Sequence, residues 1–133
     1  MKPDKREQIL AKATELFFDK GVASVSMDEI AAAVPVAKMT IYKYFQSKDR
    51  LVGAVMDRYV REQHAIMNQK IEESPDTLSA LASILDYRNM PVIPERFIRE
   101  SLELYPQIVT DLLTYYRTHM HDQLRDLIVR GQE

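Results

Sequence analysis

The sequence predicts an all-α protein, and three observations carry that prediction. Apolar residues recur at three- and four-residue spacing along most of the chain, β-branched residues do not alternate with polar ones over a strand's length, and only three glycines (Gly21, Gly53, Gly131) occur in 133 residues. Ile9, Leu10, Ala13, Leu16 and Phe17 define a first helix over about Lys5 to Lys20, which Gly21 can end by taking a positive φ. Ser26-Met27-Asp28-Glu29 has the form of a capping box, in which the serine hydroxyl accepts a backbone N–H and the glutamate reaches back to the cap. A short second helix should follow from Met27 to about Ala33, with Ile30 and Ala31 inward. Pro35 stops it, because the residue before a proline is driven out of helical geometry.

A third short helix is expected over Ala37 to Phe45, and Ser47 can cap a long fourth one with the stripe Leu51, Val55, Tyr59, running on toward Glu72. Ser74-Pro75-Asp76 reads as a turn. Beyond it, Leu78, Leu81, Ile84 and Leu85 mark a fifth helix. Pro94 suits the first position of a sixth, which uses Phe97, Ile98 and Leu102. Pro106 opens or kinks the last, through Ile108, Leu112, Tyr115, Tyr116, Met120, Leu124 and Ile128.

Composition narrows the function. With no cysteine there is neither a disulfide nor a thiolate metal site. No apolar run approaches the ~18 to 20 residues of a membrane span. Acidic residues Asp4, Glu7, Glu15 and Asp19 interrupt any signal-peptide core, so a cytoplasmic protein is expected. The net charge of -2 hides an asymmetry: residues 1–60 hold ten basic against eight acidic residues, and residues 61–133 eight against twelve. Val34 to Arg50 alone carries Lys38, Lys43, Lys48 and Arg50 against Asp49. Positive charge is therefore concentrated where the short third helix lies.

Two short helices joined by a tight turn behind a supporting helix have the form of a helix-turn-helix, whose second helix fits the major groove of DNA. Ile41 and Phe45, four apart, can face the core, leaving Lys38, Thr40, Tyr42 and Lys43 outward or sideways. No nucleophile-base-acid set, phosphate-binding glycine loop or zinc spacing is present in the sequence. His119 and His121 are two apart, on different faces of a helix, and read as surface residues. No enzyme, cofactor or metal is expected.

Three runs at fixed spacing complete the pattern. They are Ile9-x-x-x-Ala13-x-x-Leu16-Phe17-x-x-x-Gly21, Ser26-Met27-x-x-Ile30-Ala31, and Val36-x-Lys38-x-Thr40-Ile41-Tyr42-x-Tyr44-Phe45-x-Ser47-Lys48-x-x-Leu51. Together, over about residues 5 to 60, they resemble the DNA-binding domain of TetR-family transcriptional regulators. The resemblance implies a three-helix DNA-binding head over residues 1–47. Residues 48–133 would then be a partial helical domain for ligand binding and dimerisation, with the fourth helix as connector.

It also implies roles for single residues. Ser26 would bind a phosphate, Lys38 and Thr40 would reach the groove, and Tyr42 and Tyr44 would contact phosphate or thymine methyls. Lys43 adds charge to the same helix, and Lys48 would clamp the backbone. The implied partners are a palindromic double-stranded operator, a small-molecule effector and, for the intact protein, a second copy; no membrane is involved. Tyr87, Met90, Tyr105, Tyr115, Tyr116 and Met120 are candidates for lining the effector pocket, a pattern shared by any amphipathic helix that buries its aromatics. The expected function is a ligand-responsive repressor. The alternative is a helical protein-interaction module that has lost specific DNA reading.

Two positions depart from the pattern. Pro35 stands where a glycine is typical, and Ala37 where a serine or threonine usually caps the third helix, a cap worth about 0.5 to 2 kcal/mol. The family's further helices would lie beyond Glu133.

Overall fold

A computed structural model describes residues 4–86 and 93–132, and every regular element among them is an α-helix. The order is α1 Lys5–Lys20, α2 Met27–Ala33, α3 Lys38–Phe45, α4 Lys48–Glu73, α5 Thr77–Ile84, α6 Glu95–Leu104 and α7 Pro106–Gln132. None is long and apolar enough to cross a membrane among the described residues. The chain divides into two compact units: Met1–Asp57 with Ile93–Thr110, and Arg58–Val92 with Asp111–Glu133.

The first unit holds a continuous apolar core. Ile9, Leu10, Ala13 and Phe17 of α1 are buried, as are Val22 and Val25 of the following loop, Met27, Ile30 and Ala31 of α2, Ile41 and Phe45 of α3, and Leu51, Val52 and Val55 of α4. Each fully buried large aliphatic or aromatic side chain contributes roughly 1.5–3 kcal/mol of transfer free energy, which outweighs the modest propensity of helices only seven or eight residues long. Asp4 caps α1 by accepting from the Glu7 N–H at 2.8 Å. Gly21 ends it at φ 85°, its own N–H bonded to the Phe17 carbonyl.

α6 belongs to this same unit. Phe97 is fully buried, with its ring 5.0 Å from Phe18 edge-on and 6.3 Å from Phe17. Arg96 donates to the Asp19 carbonyl at 2.8 Å, placing a cation where the last carbonyls of α1 are unsatisfied. Glu100 accepts from the Ala23 N–H at 3.1 Å. Gly21 takes φ 85°, a conformation that L side chains rarely adopt, with the Glu100 carboxylate facing it. The sequence pattern suggests Arg96, Arg99, Glu100 and Glu103 as pairs along one helix, but only Arg99 does this, 3.7 Å from Glu95. Arg96 and Glu100 instead reach the end of α1 and the loop after it.

Of the α6 stripe, Phe97 is buried, Ile98 half-buried and Leu102 exposed; Ser101 takes the inward place beside Phe97. Pro94 is the cap of α6, one residue outside its expected first position, whereas Pro106 opens α7 at a position that needs no N–H.

In the second unit, Asp76 caps α5 by accepting from the Ser79 N–H at 2.7 Å. Gln63, Met67, Ala80 and Leu127 are its buried residues among those described. Leu78 and Leu85, two of the apolar residues that mark the fifth helix in the sequence, are exposed, and Ala80 is the buried residue of α5. On α7, Leu127 faces in while Ile128 is exposed. His64, Asn68 and Gln123 form a side-chain hydrogen-bonded chain linking α4 to α7 within this unit.

Candidate nucleic-acid interface

The site begins at the cap of α2. The Ser26 hydroxyl accepts from the Glu29 N–H at 3.1 Å, which is half of the expected box. The return bond is not made: Glu29 turns away to Lys20 at 2.7 Å, and its other carboxylate oxygen has no hydrogen-bond partner. That carboxylate lifts the pKa of Lys20 above its ordinary value. Ser26 remains exposed, with its hydroxyl proton free of the cap bond, beside the N–H groups of a helix start.

The turn between α2 and α3 is closed by two backbone bonds. The Val34 N–H reaches the Ile30 carbonyl and the Val36 N–H reaches the Ala31 carbonyl, each at 3.0 Å. The second is the six-to-one bond of a Schellman stop, whose pivot residue normally has positive φ and is usually glycine. Pro35 occupies that pivot at φ 23°, far from the about −65° its ring prefers, and it has no N–H for the motif's companion bond. The chain therefore keeps the turn a glycine would make and carries backbone strain in it. Ala37 is in the extended conformation of a helix cap with no side-chain cap bond, so α3 starts at Lys38, one residue later than the periodicity suggests.

Burial of Ile41 and Phe45 fixes the rotation of α3, and the Arg6 guanidinium lies 5.0 Å from the centre of the Phe45 ring. Residues three and four apart share a helix face. The outward face is consequently Met39, Tyr42 and Lys43, with Met39 83% and Tyr42 40% exposed. Thr40 and Tyr44 are half-buried at its flanks. Lys43 has its ammonium 5.7 Å from the Tyr44 ring centre, and Lys38 lies 6.0 Å from that of Tyr42. Lys38 is also tied to Asp28 of α2 at 3.1 Å, an exposed pair that a phosphate or base edge can displace at little cost. Lys48, first residue of α4, is half-buried; burial pulls its pKa below the ordinary lysine value, with Glu100 acting the other way.

The structure thus gathers Lys38, Thr40, Tyr42, Lys43 and Tyr44 on α3, with Ser26 and Lys48 at the starts of the helices before and after it. Met39 went unnoticed in the sequence, although its phase relative to Ile41 and Phe45 gives its direction.

The effector candidates are dispersed. Tyr87 and Met90 lie outside the described residues. Tyr105 is half-buried in the first unit, where burial followed by the Asp49 charge raises its pKa. In the second unit Tyr116, half-buried near Tyr59, is raised in the same sense, chiefly by burial. Met120 is half-buried, and Tyr115 is exposed and lies against His119, ring centres 4.0 Å apart.

Residues 9–55 match the pattern of "Bacterial regulatory proteins, tetR family". The chain is 32% identical over 83 residues to the HTH-type transcriptional activator FasR of Mycolicibacterium smegmatis, covering 62% of this chain and 38% of that protein. It is 39% identical over 83 residues to the uncharacterized HTH-type transcriptional regulator YvaF of Bacillus subtilis, covering 62% of this chain and 42% of that one. The chain therefore spans about two-fifths of the length of these curated relatives. A TetR-family transcriptional regulator from Streptomyces coelicolor superposes with a TM-score of 0.65 at 26% identity, over 93% of this chain and 69% of that one. The helix-turn-helix head, over residues 9–55, therefore carries the pattern of the TetR family of bacterial regulatory proteins, and the chain is similar to HTH-type transcriptional regulators.

Proposed function

We propose that the protein is a cytoplasmic, ligand-responsive transcriptional repressor that binds a palindromic operator as a homodimer, through residues 1–47. Residues 48–133 contribute to the effector and dimer domain. The observation that carries this reading is the outward face of α3: exposed Met39, Tyr42 and Lys43 on a helix whose opposite face is locked into the core. An α-helix with such a face fits the major groove, where base edges are read, while flanking cations and helix starts hold phosphates. In this assignment Lys38, Thr40, Tyr42 and Lys43 meet the groove or its edge, and Ser26, Tyr44 and Lys48 hold the backbone. The protein acts by occupying DNA and performs no catalysis. An effector held by residues of the second unit such as Tyr115, Tyr116 and Met120 releases it by favouring a conformation with misplaced heads.

Two measurements test this. Footprinting of the intact protein on the DNA upstream of its own gene should protect a palindrome whose half-sites lie about 34 to 36 Å apart along the helix. Deletion of the gene should raise transcription from that promoter. Transcription that falls on deletion would make it an activator. Protection no better than on random DNA would favour the protein-interaction module.

A further inference from the structure

Met39 is the most exposed large apolar side chain among the described residues, at 83%. It occupies the second position of α3, in the first turn, where a reading helix meets base edges. Tyr42 and Lys43 follow it on the same face. A methionine has no hydrogen to donate and only a weak acceptor sulfur, so it offers a base little beyond flexible, polarizable apolar surface. The major groove presents one apolar feature that could meet it, the C5-methyl group of thymine. The cations around it, Lys38 and Lys43, suit phosphates or guanine and do not compete for that group.

From this we infer that Met39 is a specificity-determining residue that reads one thymine in each half-site by packing against its C5-methyl. The inference rests on the DNA-binding reading of the head and names part of what the head recognises.

The test uses the intact protein and the duplex it enriches from a random-sequence pool. Each thymine of the enriched site is replaced in turn by deoxyuridine, which removes only the methyl. One replacement per half-site should weaken binding about four-fold, the ratio corresponding to burial of one methyl-sized group. Met39→Ala should bind the thymine and uracil duplexes equally. Met39→Leu, which keeps the apolar surface, should retain a clear preference for thymine. Because Met39 is exposed, neither substitution should disturb the core, which circular dichroism checks. Silent uracil replacements at every position, or an undiminished penalty in Met39→Ala, would overturn the assignment while leaving DNA binding standing. Failure to enrich any sequence would overturn the DNA-binding reading and this inference together.

Discussion

Replacing Phe97 by alanine should destabilise the first unit by about 4 kcal/mol, because α6 is part of the head's core. The ring is fully buried and meets Phe18 edge-on at 5.0 Å and Phe17 at 6.3 Å. Truncation of a buried phenylalanine costs about 3–5 kcal/mol in transfer and cavity terms. Each aromatic pair adds about 0.5–1.5 kcal/mol beyond the buried area, so a site with two such contacts belongs in the middle or upper part of that range. Against a typical total of about 5–15 kcal/mol, the loss is large. Equilibrium urea unfolding of the wild type and Phe97→Ala, followed through the transition of the first unit, measures it. A double-mutant cycle with Phe18→Ala should return a coupling of about 1 kcal/mol. A loss below about 1 kcal/mol in Phe97→Ala would show that α6 is not integral to the head, and would refute the reasoning.

Other predictions follow from local geometry. Pro35→Gly should not lower the melting temperature, since relief of about 1–3 kcal/mol of strain at φ 23° offsets the about 1–2 kcal/mol of unfolded-state entropy added by losing both the ring and the Cβ. A lower melting temperature would contradict it. Ala37→Ser should add about 1 kcal/mol by supplying the missing cap of α3, measured as a higher urea midpoint. Asp76, whose carboxylate accepts the Ser79 N–H, is held below the ordinary aspartate pKa. Its contribution to α5 is complete above that ordinary value and disappears as the pH falls through the lower folded value. Helicity followed by circular dichroism should show this acid loss, and Asp76→Asn should remove that part of it.

The head was legible in the sequence because its helices are short, strongly patterned and bounded by specific residues. Gly21 ends α1, Ser26 caps α2, and Ile41 with Phe45 orients α3. The placement of Arg96 and Glu100 was not, because bonds to the Asp19 carbonyl and the Ala23 N–H join residues 77 positions apart and leave no local periodicity. Glu29 misled for a related reason: a capping box and a long-range ion pair to Lys20 require the same residue type. Leu78, Leu85 and Ile128 show the limit of periodicity, which finds a stripe of apolar residues but not whether a described neighbour covers it. Met39 shows the converse, an apolar residue that reads as core by type and as surface by phase.

The most direct test of the central claim is a fluorescence-anisotropy titration of the intact protein against its own upstream DNA between 50 and 200 mM salt, with random duplex in parallel. A head that holds phosphates through Ser26, Tyr44 and Lys48 while reading bases through α3 should prefer the upstream DNA at every salt concentration. Its affinity should also fall linearly with salt on a logarithmic plot, with a slope of about 0.9 per phosphate neutralised. Equal affinity for the two DNAs, or binding indifferent to salt, would contradict the account.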